Sequence, residues 1–282
     1  MNPYVGIELD GGQMYLMADT PDGFLEHSVS IDRECTLLKL QQEVESFIAH
    51  LPYKPSGIGM GMPGLVVGSD KVELSHVLPA LNGVSADQFS TTASIPVAFI
   101  NDVKAATMAE AAHYGNNETI AVVMLDAFIA AGIVANGQLL LGSKGWSGEL
   151  GYMLIGMNGE PVLLDLIASG YAISKKADKD NAAIRALLEA GHEETIEIVR
   201  QAGTYLGYAL VNLIHLYNPS VMVIGGSTST YRGYMEAAKA ALDAHALPEL
   251  LKCCTITTPK TPQRLIAFGA REWIRKQTKS QS

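Results

Sequence analysis

The sequence of 282 residues contains few cysteines and few charged residues. Its three cysteines, Cys35, Cys253 and Cys254, are an odd number without the spacing of metal ligands. We therefore expect neither a disulfide framework nor a cysteine metal site, but buried thiols in a reducing cytoplasm. Charged residues make up 17% and hydrophobic residues 48%, a balance that excludes intrinsic disorder.

Long hydrophobic runs and targeting signals are also missing. The mean hydropathy is +0.16, but polar residues, glycine or proline interrupt every apolar run before the ~20 residues that a membrane-spanning helix needs. A first strand starts almost at once, without the basic and apolar stretches of a secretory signal. We expect a soluble, cytoplasmic protein with no membrane partner.

Positive charge is scarce relative to negative charge. Lys and Arg number 20 and Asp and Glu number 29, which leaves a net charge of −9. Such a charge repels phosphate backbones, so we expect no nucleic-acid partner. The length itself predicts roughly two domains.

Two segments repeat one pattern of three predicted strands. The first has strands at 4–9, 13–18 and 24–31 with a turn at Asp22-Gly23, and the second has strands at 120–126, 132–135 and 138–141 with a turn at Asn136-Gly137. We interpret this as an internal duplication in which each copy opens a domain. The predicted domains are residues 1–117 with 264–282, and residues 118–263.

Predicted helices follow each pattern, and two strand ends carry residues suited to chemistry. Helices are predicted at 36–50, 103–113, 179–190, 193–217, 232–245 and 263–276. Asn101-Asp102 follows a strand, and a carboxylate there is suited to act as a general base or as a helix N-cap. Gly225-Gly226 follows another strand, where glycine suits either a close nucleotide or steric needs of the turn.

Four motifs in order resemble the ROK family of sugar kinases and sugar-responsive repressors. They lie at residues 99–106, 148–152, 165–170 and 218–226, and the resemblance covers essentially the whole chain. It implies an α/β protein with the two-domain actin-like ATPase fold, a duplicated ribonuclease-H-like fold. It also implies an ATP-dependent carbohydrate kinase that uses Mg²⁺, acts on a hexose or N-acetylhexosamine, and forms a homodimer.

The resemblance also implies roles for individual residues. Asp102 matches the family's general base, and Gly225 and Gly226 match the site of adenine and ribose. The residues that match the sugar site are Gly64, Asn101, Glu149, Tyr152 and Asp165.

The sugar site departs from the family pattern in its zinc loop. Tyr152 stands where the family usually has a zinc-binding His, and residues 153–161 contain neither Cys nor His. A tetrahedral zinc site needs four such ligands, so we predict no zinc.

Both phosphate loops also depart from the pattern. The first, normally Asp-x-Gly-Gly-Thr, reads Glu8-Leu9-Asp10-Gly11-Gly12-Gln13, and the second, normally Gly-Thr-Gly, runs from Asp126 to Gly132 and includes Phe128. An unpaired carboxylate ~4 Å from a phosphate costs about 4 kcal/mol, unless Mg²⁺ lies between them. Two interpretations stay open: a kinase with a metal-richer phosphate site, or a pseudokinase that holds sugar without turning over ATP.

Two further expectations concern the exposure of Lys104 and the possibility that the protein is a repressor. Lys104 falls where the family often has Asn, and we expect its side chain to reach solvent rather than to lower the pKa of Asp102. ROK repressors carry a DNA-binding segment before the first strand, which begins here at Tyr4. We therefore do not expect a repressor.

Overall fold

The computed structural model describes residues 3–21, 23–90, 94–157, 159–260 and 264–279. Its strands are β1 (Tyr4–Leu9), β2 (Gln13–Thr20), β3 (Gly23–Ser30), β4 (Gly57–Met62), β5 (Leu65–Val67), β6 (Lys71–Leu74), β7 (Val97–Asn101), β8 (Ile120–Leu125), β9 (Ile129–Ala135), β10 (Gln138–Leu139), β11 (Leu154–Met157), β12 (Glu160–Leu163), β13 (Val221–Gly225) and β14 (Thr255–Thr257). Its helices are α1 (Leu37–Ala49), α2 (Asp102–Ala111), α3 (Asp165–Ala168), α4 (Gly170–Ala177), α5 (Asn181–Glu189), α6 (Glu193–Tyr217), α7 (Tyr234–His245), α8 (Pro248–Lys252) and α9 (Leu265–Lys279).

The chain divides into two compact units. Unit 1 comprises Met1–Tyr114, Leu139–Ser147 and Thr261–Ser282, and unit 2 comprises Gly115–Gln138 and Gly148–Lys260. The predicted boundaries after residues 117 and 263 each lie three residues beyond those of the units. The segment Leu139–Ser147, which the prediction assigned to the second domain, clusters with unit 1.

Unit 1 is built on a sheet with the order β3-β2-β1-β4-β7. The strands β1, β2 and β3 form an antiparallel meander, and β1, β4 and β7 run parallel. The parallel strands end at the same edge, so the residues that follow β1, β4 and β7 lie at that edge. Thr36 begins α1, since its hydroxyl accepts a hydrogen bond from Lys39 N at 3.3 Å.

Helix α9 packs directly on β1 and β4 and also contacts α2. The glycine-rich sequence of β4 makes this possible: a Cβ on Gly59 would lie 1.8 Å from Ala270 O of the helix. The indole nitrogen of Trp273 donates to Phe99 O at 3.0 Å, which ties the same helix to β7. The C-terminal helix is therefore part of the core of unit 1.

Unit 2 is built on a sheet with the order β10-β9-β8-β13-β14. Strand β8 pairs antiparallel with β9 and parallel with β13, which pairs parallel with β14. The long helix α6 buries an apolar stripe, including Val199, Leu206 and Leu210, against this unit's core. The two sheets repeat one topology, as the predicted duplication requires.

Several short elements have no counterpart in the prediction, and one cysteine expectation is wrong. The structure adds the hairpins β5–β6 and β11–β12, the short helices α3, α4 and α8, and the edge strand β14. Asp22 and Gln263, which the sequence placed in a turn and at a helix start, lie outside the described residues. Cys35 is buried as expected, whereas Cys253 is exposed.

Candidate functional site

The carboxyl end of β7 places Asn101 and Asp102 at the start of α2. Asn101 caps the helix, because its side-chain oxygen accepts a hydrogen bond from Lys104 N at 3.2 Å. Its amide nitrogen donates to Asp102 Oδ1 at 2.8 Å and to Gly64 O at 3.0 Å. Asp102 Oδ1 also accepts from Val103 N at 2.7 Å. The N-cap alternative for Asp102 is therefore wrong: Asn101 caps the helix and helps to orient the partly exposed carboxylate.

Gly64 lies in the turn after β4. It has a φ of +108°, and a Cβ added to it would lie 2.2 Å from Leu74 O. This position therefore requires glycine for steric reasons alone. Its carbonyl oxygen accepts the Asn101 hydrogen bond, so the turn also helps to hold the residue that orients Asp102. Sugar contact by Gly64 or Asn101 stays a prediction.

Lys104 does not reach solvent, and that expectation is wrong. Its side chain is 3% exposed, and Nζ donates to Ser147 O at 2.7 Å. The first turn of α2 faces the segment Leu139–Ser147, which belongs to the same unit. The hydrogen bond to the Ser147 carbonyl oxygen makes it possible to bury the ammonium group, because a cation in the interior needs a hydrogen-bond acceptor.

The turn after β1 contains Asp10, Gly11 and Gly12. Asp10 Oδ1 accepts hydrogen bonds from Gly12 N and Gln13 N, both at 2.6 Å, and Asp10 N donates to Gln13 O at 3.0 Å. A Cβ on Gly11 would lie 2.9 Å from Val77 Cγ1. The carboxylate of Asp10 thus closes its own turn, and its contact with a nucleotide or a metal ion stays a prediction.

Glu8, which was not among the predicted site residues, is the third acidic residue of this edge. Burial in β1 raises its pKa to about 7, with a further increase from the negative charge of Asp10 and a smaller one from Asp102. The N–H of Ala267, in the first turn of α9, hydrogen-bonds to it and acts in the opposite direction. A carboxylate in an otherwise buried strand was the available sequence signal. Unit 1 therefore gathers Glu8, Asp10 and Asp102 at one edge.

In unit 2, Asp126 follows β8 and faces the segment after β13. Its Oδ1 accepts hydrogen bonds from Ser227 N at 2.6 Å and from Ser227 Oγ at 2.7 Å. An added Cβ would lie 2.8 Å from Pro259 Cγ at Gly225 and 2.4 Å from Leu125 O at Gly226. Close packing alone explains both glycines, and their contact with a nucleotide stays a prediction.

The second loop is shorter than predicted, because β9 begins at Ile129. Gly132 lies within that strand, opposite Val122, rather than in the loop. The ring of Phe128 is 53% exposed and stacks on Tyr171, with 5.9 Å between ring centroids. The phenyl ring therefore lies at the surface of unit 2, against Tyr171.

Asp165 is a buried acid of unit 2 that the sequence analysis placed in the sugar site. Its Oδ1 accepts a hydrogen bond from Ile129 N at 2.8 Å, and the residue is 8% exposed. Burial raises its pKa to about 6, the Ile129 N–H lowers it, and the charge of Glu149 raises it further. Glu149 itself is exposed, and Tyr152 is 62% exposed. The structure thus gathers Glu149, Tyr152 and Asp165 around one short turn.

The donor chemistry of unit 1 fits a magnesium ion. Mg²⁺ prefers oxygen ligands and often binds through one or two carboxylates together with substrate phosphates. Glu8, Asp10 and Asp102 offer such oxygens. Among the described residues no group of three or more His, Cys, Asp or Glu side chains could hold a metal ion by itself, so Mg²⁺ here would also need oxygen ligands from a substrate phosphate.

The helices in the described part of the chain include none that is both long and apolar enough to cross a membrane.

Comparison with proteins of known sequence links the chain to both kinases and repressors. It is 26% identical over 220 residues to a xylose repressor of Bacillus subtilis, a match that covers 71% of this chain and 56% of the repressor. It is 24% identical over 220 residues to an N-acetylmannosamine kinase of Yersinia pestis, covering 72% of this chain and 75% of the kinase. The chain thus spans little more than half the length of the repressor.

Comparison with solved structures identifies the architecture. The ROK hexokinase of Thermus thermophilus superposes with a TM-score of 0.83 at 22% identity, covering 99% of each chain. Together with the repeated sheets, this similarity shows the two-domain actin-like ATPase fold, as predicted.

Residues 4–277 match the ROK family. The chain belongs to this family, and the resemblance inferred from the four sequence motifs is confirmed.

Proposed function

We propose that the protein is a sugar kinase that transfers the γ-phosphoryl group of ATP to a hydroxyl of a hexose or N-acetylhexosamine, with Asp102 as the general base. The observation that carries this proposal is that Asn101 and Asp102 have different roles at the start of α2. Asn101 caps the helix and donates to Asp102 Oδ1, so the acid is held at a strand end without serving as the cap. The sugar kinases among the family relatives support the reaction class.

Asp102 would act on the attacking hydroxyl. The hydroxyl oxygen forms a bond to the γ-phosphorus while the bond from that phosphorus to the β,γ-bridging oxygen breaks, and ADP leaves with that oxygen. The hydroxyl proton passes to the Asp102 carboxylate. The N–H groups of Asn101 and Val103 donate to Oδ1 and so hold the carboxylate in place at the start of α2.

The sugar would be held mainly by residues of unit 2. Glu149 and Tyr152 are exposed at the surface of unit 2, whereas Asp165 uses one oxygen to hold Ile129 N. We propose direct sugar contacts for Glu149 and Tyr152. For Asp165 the hydrogen bond supports a role in holding the second loop beside its proposed sugar contact.

The family resemblance implies ATP contacts for Asp10, Gly11 and Gly12 and for Asp126, Gly225 and Gly226, and we propose these contacts here. Magnesium, when bound, would neutralise phosphate charge, and the carboxylates of Glu8, Asp10 and Asp102 are the oxygen donors that suit it. We further propose that the protein works in the cytoplasm as a homodimer and without zinc.

The test is sugar-dependent release of ADP. Purified protein is incubated with Mg-ATP and glucose, mannose, fructose, N-acetylglucosamine or N-acetylmannosamine. We expect one of these sugars to stimulate ADP release, and Asp102→Asn to lower kcat by at least about a hundredfold. Glu45→Gln, which removes an exposed acid on α1, is the matched control and retains activity.

A second function is favoured by the loops themselves. The N–H groups of Gly12, Gln13 and Ser227, which would suit a phosphate, already donate to Asp10 or Asp126. This arrangement supports a sugar-binding protein that does not turn over ATP. If sugars raise the melting temperature while Mg-ATP neither raises it nor yields ADP, the kinase proposal is wrong and the sugar-binding proposal stands.

A further inference from the structure

Asp126 joins three segments of unit 2 that are distant in sequence. Its side chain accepts both hydrogen bonds from Ser227, which lies 101 residues further along the chain. Its main-chain oxygen accepts hydrogen bonds from Thr228 Oγ1 at 3.0 Å and from Gly170 N at 2.9 Å. One residue thus connects the end of β8 with the segment after β13 and with the start of α4.

Arg185 of α5 holds the opposite side of the same segment. Its guanidinium donates to Ser227 O at 2.9 Å and to Thr230 Oγ1 at 2.7 Å, and it stacks over the ring of Tyr231 at 4.9 Å. Ser227 is therefore held by a carboxylate at its N–H and by a guanidinium at its carbonyl. Each charge meets the end of the peptide dipole that it stabilises, and hydrogen bonds to charged groups are stronger than neutral ones.

Asp10 at the matching turn of unit 1 provides the contrast. Its carboxylate accepts hydrogen bonds only two and three residues away, so it stabilises a local turn. The Asp126 carboxylate acts across two chain segments, and the geometry of its Oδ1 is that of a hydrogen-bond acceptor already in use.

We propose that Asp126 is a positioning residue that fastens the β8–β9 loop to the segment Ser227–Thr230, and that it acts neither as a ligand of Mg²⁺ nor as a charge that repels ATP. This inference rests on the proposed function where it concerns nucleotide binding, because the two segments are the nucleotide loops of that proposal. The positioning role of Asp126 itself rests only on its hydrogen bonds with Ser227.

The isosteric variant Asp126→Asn separates the three roles. Asn retains a side-chain oxygen that accepts the hydrogen bonds of Ser227, but it has no charge and is a poor ligand for Mg²⁺. Ala removes both the acceptor and the charge. A positioning role thus predicts a mild Asn variant and a damaging Ala variant.

The first measurement is the affinity for Mg-ATP by titration calorimetry, together with KM and kcat. We expect Asp126→Ala to weaken binding and raise KM about tenfold with a smaller change in kcat, and Asp126→Asn to stay within about threefold of wild type. Glu189→Gln, which removes an exposed acid of α5 in the same unit, is the control and should stay at wild-type values. Equal losses in Asp126→Asn and Asp126→Ala would identify a metal ligand, and tighter binding by both would identify electrostatic repulsion. Either result overturns the proposal.

A second measurement keeps the inference testable if the wild-type protein binds no ATP. Melting temperatures are compared for Asp126→Ala, Ser227→Ala and the double variant. We expect the double variant to lose clearly less than the combined losses of the single variants, because the hydrogen bond from Ser227 Oγ to Asp126 is already lost in each single variant. The bond from the main-chain N–H of residue 227 is lost only where Asp126 is replaced. Additive losses would overturn the inference, whereas failure to bind Mg-ATP with a non-additive cycle would overturn only the kinase proposal.

Discussion

The two units share one sheet topology, but their first turns are stabilised in different ways. In unit 1 the carboxylate of Asp10 accepts hydrogen bonds from its own turn. In unit 2 the carboxylate of Asp126 accepts them from Ser227, beyond the neighbouring parallel strand β13. A duplicated topology therefore repeats the position of an acid without repeating its role. The second loop should depend on long-range packing far more than the first.

The largest expected difference concerns the glycines of these regions. Gly226 has a φ of +98°, and an added Cβ would lie 2.4 Å from Leu125 O. Around Gly12 the nearest atom to an added Cβ is Asp10 Oδ1, at 3.7 Å. We expect Gly226→Ala to lower the free energy of unfolding by about 3 kcal/mol or more, and Gly12→Ala by about 1 kcal/mol or less. Urea denaturation measures both, and similar losses would contradict the contrast between the loops.

Each unit also contains one buried acid whose pKa is raised, which predicts a pH dependence of stability. The pKa of Glu8 is raised from 4.5 to about 7. Its favourable contribution to the free energy of unfolding is therefore complete below pH 4.5 and is lost as the pH rises through 7. For Asp165 the pKa is raised from 3.8 to about 6, and the contribution is lost as the pH rises through 6.

Neutral variants of these acids should escape that loss. We expect Glu8→Gln to become more stable relative to wild type between pH 5 and pH 8, by about 3 kcal/mol at most. We expect Asp165→Asn to gain stability about one pH unit lower, because the pKa of Asp165 is raised to about 6 and that of Glu8 to about 7. The amide oxygen of the Asn variant can still accept the hydrogen bond from Ile129 N. Melting temperatures at several pH values check both. A constant difference between variant and wild type across the pH range would show that the acid is not buried as described.

Asp10 should have a small effect on stability, similar to that of Gly12. Asp10→Ala removes two hydrogen bonds within one exposed turn, and we expect a loss of about 1 kcal/mol in the free energy of unfolding. The loss should be smaller than for Asp126→Ala in the same urea experiment. An Asp10 variant that is less stable than the Asp126 variant would reverse the comparison between the two turns.

Much of the fold followed from local patterns in the sequence. Helix α6 was predicted with its observed bounds because its apolar residues recur at helical spacing over many turns. The short elements α3, α4, β11 and β12 were not predicted, since segments of four to eight residues carry too few repeats to show a period.

The candidate site was predicted less completely, because its residues act through distant partners. The order of the four motifs identified the family and singled out Asp102. It did not reveal that Asn101 would cap α2, that Lys104 would be buried against Ser147, or that Glu8 would be a buried acid. Each of these depends on atoms that neighbouring elements bring near the side chain.

The sequence by itself determined the repeated strand pattern, the α/β class and the membership of the ROK family, because periodicity and motif order are local properties of the chain. The tertiary structure decided what each polar group faces. Asp126 and Ser227 are 101 residues apart, and only the parallel pairing of β8 with β13 brings them into hydrogen-bond contact. Since the strength of a carboxylate's interaction depends on the donors within about 3 Å of it, its role could be read only after the chain had folded.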